Sequence, residues 1–255
     1  MNVSLYQAAS ALNAMDRWQE TISENLASAS VPGFKKQDFS FAAKQAGLLP
    51  GSTNAAAGTH QGTHPLLMPT GSATTNFQPG EFRMTGVKTD VAIDGRGFFE
   101  VQLPNGQNVL TRDGEFHLSS QGQLVTKEGY TVLGDGGPIQ IDPNNHSELS
   151  ISASGEVSQG ADSKGRLKVS DVNDPRLLTR ISGGYFMAND PDVKLTSATG
   201  ASLKQGFVEA GNTSVVMEMA NLMTAMRTFE ANQKMAQIHD ERLGRAINDL
   251  GHITG

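Results

Sequence analysis

Apolar residues recur at alternating spacings of three and four at both ends of this 255-residue chain. A helix patterned in this way carries a narrow seam that must be covered by something. Near the start the seam runs through Leu5, Ala8, Leu12, Met15, Ile22, Leu26 and Ala29, with Gln19 as its polar interruption. No Gly or Pro falls inside it until Pro32-Gly33, so the spacing predicts a helix over about residues 2–30, roughly 40 Å long. Near the end Val215, Met219, Leu222, Met226, Phe229, Ala236, Leu243, Ile247 and Leu250 form a second seam, interrupted by Gln233 and Asp240. The second helix is expected over about 213–250. Thr213 or Ser214 is placed to cap its start and Glu218 to favour its positive end.

Between the seams the period changes to two. FFEVQL (98–103) and VLTR (109–112) flank Pro104-Asn105-Gly106, a hairpin signal. Asp113-Gly114, Gln121-Gly122, Glu128-Gly129 and Ser154-Gly155 then punctuate short apolar runs about ten residues apart, which predicts a compact all-β domain of sandwich or barrel type. The 28 glycines exceed the usual share of about 7% and suit many tight turns. Residues 42–80 differ from both regions: Ala, Gly, Ser, Thr and Pro dominate, a linker composition that orders only against neighbours. The fold class is therefore mixed. Two long terminal α-helices of coiled-coil character flank a central all-β domain, with an extended linker between the first helix and the strands.

Several function classes lose support at this stage. A formal charge of −6, from 20 basic and 26 acidic residues without like-charge blocks, gives no basic face for nucleic acid or an anionic membrane. No cysteine is present for a disulfide, metal site or nucleophile. Met1 to Ser10 lacks a basic segment and an apolar run, so a cleaved secretory signal is not expected, and no apolar stretch approaches the roughly 18 residues that span a bilayer. His60 and His64 share an H-x-x-x-H spacing, but on a Gly/Thr loop, where the reading is solvated histidines and not a metal site. Asp94-Gly95-Arg96-Gly97 resembles part of a phosphate loop without the helix that should follow, and reads as a turn before a strand. Asp142-Pro143-Asn144-Asn145 lacks the sixth-position Gly and twelfth-position acid of a calcium loop and also reads as a turn. No catalytic residue, cofactor or metal is assigned.

The seams remain. Packing on the β domain of the same chain would cover them in the ordinary way. Narrow spacing, placement at opposite ends and separation by breakers favour instead a surplus stripe that meets other chains. Met217, Met219, Met223, Met226 and Met235 are half of the ten methionines. Met adapts to irregular neighbours, which suits either several partner subunits or plain core filling. Gln19 and Gln233, one on each seam, are expected to meet each other, within or between subunits.

Four stretches resemble the bacterial flagellar rod and hook protein family. In SENLASASVPGFKK (23–36), Asn25, Leu26, Ala27, Gly33, Phe34 and Lys35 fill the places of its N-terminal motif. DVAIDGRGFFEV (90–101) resembles its Gly-x-Gly-Phe-Phe strand through Gly95, Gly97 and Phe98, and TRDGEFHLSSQGQLVT (111–126) follows its Thr-Arg-Asp-Gly pattern through Arg112, Asp113 and Gly114. In QGFVEAGNTSVVMEMANLMTAMRTFEANQ (205–233), Gly206, Glu209 and Asn212 match its closing segment. Within the family, VLGDGGPI (132–139) is most similar to the proximal-rod type, whereas Glu218-Met219 favours the distal-rod type.

The resemblance implies a non-catalytic structural subunit of the basal-body rod. Its assembly seam would be Leu5, Leu12, Met15, Ile22, Leu26, Val215, Met219, Leu222, Met226, Phe229, Leu243 and Ile247. Residues 1–33 and 206–255 would form an inner tube, 34–80 a connector and 81–205 an outer β domain. Partners would be copies of itself, other axial rod proteins and the flagellar export apparatus, with no nucleic acid and no membrane insertion. Export would proceed without a cleaved signal, into a rod that crosses the periplasm. A hook or other axial component is the alternative within the family; an adhesin-like β-domain binding module or an enzyme is the alternative outside it.

Overall fold

The computed structural model describes residues 3–49, 64–145 and 147–251. They fall into two compact units: Met1–Leu26, Gln37–Thr74 and Val215–Gly255 form one, Ala27–Lys36 and Thr75–Ser214 the other.

The first unit contains both long helices. Helix α1 (Val3–Ala27) runs uninterrupted through the first seam as far as Leu26 and stops before the Ser28–Pro32 turn, which leaves Ala29 outside it. Helix α2 (Val215–Gly251) is 37 residues long and continues through Gly244. The expected helices are therefore present, within a few residues of their expected bounds. The same unit holds strands β1 (Gln37–Leu49) and β2 (His64–Thr75), which pair into a two-stranded ribbon. Thr74 Oγ1 donates to the Asp38 carbonyl, the hydroxyls of Ser40 and Ser72 meet at 3.1 Å, and Thr70 Oγ1 donates to the Ala42 carbonyl, so partner numbers fall as the chain advances and the strands are antiparallel.

This ribbon corrects the linker reading over residues 42–49 and 64–75, while 76–80 lie in no strand. Hydroxyl side chains that looked like linker composition bond across the strands. The ribbon is also anchored along α1: Gln7 Nε2 donates to the Leu67 carbonyl, Ser10 Oγ to the Pro69 carbonyl at 2.6 Å, and Trp18 meets Phe41 edge to face at 5.5 Å. A two-stranded ribbon alone is marginal in water, and this helix face supplies what it lacks. His60 and the rest of 50–63 lie outside the described residues.

The second unit is β-rich, with helical structure only in the short turns Pro175–Leu177 and Ser182–Gly184 among its described residues. Strands β3 (Phe82–Met84), β4 (Val91–Asp94), β5 (Phe98–Gln102) and β6 (Asn108–Thr111) open it. The β5–β6 hairpin pairs Phe99 with Thr111 and Gln102 with Asn108 about the expected Pro104-Asn105-Gly106 turn, where Gly106 has φ +85°. Strand Tyr185–Met187 extends the sheet beyond β6, and Thr131–Gly134 extends it beyond β5. Because side chains alternate along a strand, β5 feeds two cores. Phe99 and Val101 join Val91, Ile93, Phe116, Leu124, Val132 and Val157 in the larger one, while Phe98 packs with Leu110, Val172, Leu178 and Phe186 in the smaller. The return strands Ser202–Gln205 and Phe207–Glu209 pair with β4 and β3, bringing the end of the β region back beside its beginning.

Candidate assembly surfaces and the ionic junction

Backbone geometry at Gly33 starts a buried polar site in the β-rich unit. Gly33 has φ +66°, and a Cβ there would lie 2.2 Å from the Arg112 carbonyl carbon, so no side chain fits. Its N–H donates to the Glu209 carbonyl at 2.6 Å, which fixes the entering segment against the returning one. Phe34 and Lys35 are then fully buried. The Lys35 ammonium pairs with Glu209 Oε1 and donates to the Gln78 carbonyl at 2.9 Å. On the other oxygen, Glu209 Oε2 receives Arg112 Nη1 at 3.3 Å, and the Gly80 N–H donates to Oε1 at 2.9 Å. Arg112 also donates to the Ile93 and Gly95 carbonyls, at 3.2 and 2.7 Å. Arg180 lies over the Phe34 ring at 4.4 Å and donates to the Lys35 carbonyl.

Asn212 completes the junction. Its Oδ1 accepts from the Lys36 N–H at 2.7 Å, its backbone N–H donates to Phe34, and its Nδ2 donates to the carbonyls of Asn76 and Gln78. Gly114 is required nearby, since a Cβ would sit 1.7 Å from the Val91 carbonyl oxygen. Gly97 has φ +127° and Gly95 φ +115°, so the Asp94–Gly97 segment is a turn into β5, as expected. Asp142 Oδ1 likewise accepts from the Asn144 N–H in a turn. Gly206 (φ +78°) turns the chain between its last two strands. Asn25, in the other unit, exchanges two hydrogen bonds with the Gln37 backbone, at 2.9 and 2.8 Å, and so ties the end of α1 to the start of β1.

Of the motif residues, Gly33, Phe34, Arg112 and Glu209 thus meet at one buried site, with half-buried Asn212 and the exposed Gly95 at its margin and Phe98 beneath Arg112 at 5.4 Å. Leu26 is half-buried and Ala27 exposed. Sequence reasoning did not assign Gly80 or Arg180. A Cβ on Gly80 would lie 1.9 Å from the Ala210 carbonyl oxygen, a constraint that exists only once distant segments meet.

Burial lowers the Lys35 ammonium from its ordinary value against the opposing pull of Glu209, and burial likewise lowers Arg112. Two buried cations share one carboxylate. Removing that carboxylate would strand both. Asp113 is buried as well, and desolvation raises its carboxyl to about 7. Among the described residues no group of three His, Asp or Glu side chains could hold a metal. The junction joins chain segments.

The seams present a different surface. On α1, Ile22 is buried and Leu12, Met15 and Leu26 are half-buried. On α2, Leu222, Phe229 and Ala236 are half-buried, whereas Val215, Met219 and Met226 are exposed. Val216 and Met223 are exposed too, so Val216, Met219, Met223 and Met226, at spacings of three, four and three, form an uncovered apolar stripe beside the half-buried one. The side chains of Leu5, Leu243, Ile247 and Leu250 lie outside the described set. Gln233 is exposed and Gln19 half-buried, and no hydrogen bond joins them in the chain, so the expected pairing is not made within one subunit.

Three family profiles match the chain in order. "Flagella basal body rod protein" covers residues 5–35, "Flagellar hook protein FlgE/F/G D1 domain" covers 92–159, and "Flagellar basal body rod FlgEFG protein C-terminal" covers 204–250. Whole-length relatives agree: the flagellar basal-body rod protein FlgF of Caulobacter vibrioides is 34% identical, with 100% of each chain covered. The chain belongs to the FlgF/FlgG family of flagellar basal-body rod proteins. FlgG of Borreliella burgdorferi is 32% identical over 96% of this chain and 97% of its own, and FlgG of Bacillus subtilis 31% over 96% and 98%. Like the rest of the FlgF/FlgG family, the chain is a structural component of the flagellar basal-body rod. The outer profiles fall on α1 and α2 and the middle one on the β-rich unit. Among the described residues no helix is long and apolar enough to cross a membrane.

Proposed function

We propose that this rod subunit polymerises through its two terminal helices, which form the inner wall of an axial tube while residues 81–205 form the outer one. The observation that carries this reading is the uncovered stripe Val216, Met219, Met223 and Met226, next to a half-buried heptad line on the same helix. Coiled packing against helices of neighbouring copies and of other axial rod proteins would cover it, at roughly 25 cal/mol per Å2 of apolar surface before ordering costs. Gln19 and Gln233 then set register between subunits. The chain is non-catalytic and works without a cofactor, in keeping with its membership of a family of structural rod components. Export proceeds through the flagellar export apparatus without a cleaved signal, to a rod that crosses the periplasm and transmits torque.

Residues 132–139 favour the proximal, FlgF-type position, and the 34% identity to a FlgF lies beside 32% to a FlgG. The experiment is a strain lacking its own copy, supplied with Leu12→Asp or Leu222→Asp. Rods should be absent from isolated basal bodies while the purified variants keep a folded β-rich unit. Normal rods in either strain would refute the reading.

A further inference from the structure

The exposed stripe on α2 is a thioether surface, which the assembly reading leaves without a chemical consequence. Met219, Met223 and Met226 are 50, 57 and 52% exposed on one helix face. Met84, Met217 and Met235 are exposed as well but lie off this stripe, whereas Met15 and Met187 are half-buried. A thioether is the most readily oxidised group on this surface, because the chain has no cysteine to react ahead of it.

We propose that Met219, Met223 and Met226 are an oxidation site at which peroxide switches off assembly before the subunit is incorporated. The thioether sulfur gives an electron pair to one peroxide oxygen. The S–O bond forms as the O–O bond breaks, and hydroxide leaves to become water with the proton released from the other oxygen. Sulfur loses two electrons and hydrogen peroxide gains them. The product places a polar, chiral sulfoxide where an apolar, flexible group stood. One sulfoxide on this face leaves the free subunit folded, since each of the three side chains is at least half exposed and can turn the new oxygen to solvent. Buried between helices, the same oxygen would need a hydrogen-bond partner that an apolar seam does not supply.

The consequence is an asymmetry between states. The free subunit is sensitive and the assembled one is shielded by its neighbours. Reduction of the sulfoxide by methionine sulfoxide reductases restores competence, so damage caught before incorporation is reversible. This inference rests on the reading that the stripe is buried on assembly.

The test has two arms. The purified full chain and isolated basal bodies are exposed to hydrogen peroxide, and sulfoxide is mapped by mass spectrometry. Met219, Met223 and Met226 should oxidise ahead of Met15 and Met187 in the free chain and be protected in basal bodies. In parallel, a strain lacking its own copy receives the chain with all three methionines changed to Leu, all three changed to Gln as polar mimics, or Met226→Asp alone. Leu, Gln and Met share similar helix propensity, so folding is preserved. The Leu form should build rods and the Gln form should lose them. Rods in the Gln strain equal to those in the Leu strain, or peroxide resistance of the three sites in the free chain, would overturn the inference. Rods built by Met226→Asp would instead remove the assembly reading beneath it.

Discussion

Strand β5 and helix α2 dispose of their apolar residues in opposite ways. On β5, Phe98, Phe99 and Val101 are all buried, and even Glu100 between them is covered and bonded to Ser170. On α2, eight large apolar side chains, Val215, Val216, Met217, Met219, Met223, Met226, Met235 and Ile238, are exposed, and only Glu218 and Ala225 are fully buried among its described side chains. The β-rich unit meets its burial requirement within one chain. The helical unit does not. Such a contrast is what a subunit needs if one part must be finished before assembly and the other must be completed by it.

The difference predicts where substitutions act. The largest loss of stability should follow Glu209→Ala, which leaves Lys35 and Arg112 as unpaired buried cations. About 3–5 kcal/mol is expected in denaturant unfolding of the β-rich unit. A shift of less than about 1 kcal/mol would mean that the junction is not what closes that unit. Next comes Asp113, with its carboxyl raised to about 7. The folded state holds a proton that the unfolded chain releases near the ordinary value of about 3.9, so stability is full below pH 4 and falls as pH rises towards 7. Unfolding at a series of pH values should show a decline of a few kcal/mol, flattened in Asp113→Asn.

Gly33→Ala should cost about 1–3 kcal/mol, because a Cβ meets the Arg112 backbone at a positive φ. Smaller still is Trp18→Ala on the ribbon side, where losing the edge-to-face contact with Phe41 should cost about 1 kcal/mol and loosen β1 and β2. Proteolysis rates within the ribbon would report it. The smallest stability effect belongs to Met226→Asp. It should change unfolding by no more than about 0.5 kcal/mol, since the side chain is exposed, yet abolish rods.

Much of this division was legible. The heptad spacing located α1 and α2, and Pro104-Asn105-Gly106 located the β5–β6 turn, because both are local signals. The ribbon was not legible. Its strands hold Gly47, Pro65, Pro69 and Gly71 among small polar residues, and they are ordered by hydroxyl pairing and by Trp18, all contacts distant in sequence. Gly71 illustrates the point, since a Cβ there would lie 2.2 Å from the Phe39 ring. The junction was half legible. Motif resemblance marked Gly33, Arg112, Glu209 and Asn212, but no spacing tells that residues 35, 112 and 209 share one carboxylate. Gly80 and Arg180 carried no local signal at all. On α2 the pattern marked one seam where the helix carries two adjacent stripes, because periodicity reports apolar positions and not which of them the chain itself covers.

Amide hydrogen exchange on the dilute, purified full chain tests the contrast most directly. Amides of β5 and β6 should exchange only with global unfolding of the β-rich unit, while those of α2 around Met219–Met226 should exchange orders of magnitude faster and become protected in isolated basal bodies. Protection of α2 in the free chain equal to that of β5, unchanged on assembly, would contradict the account.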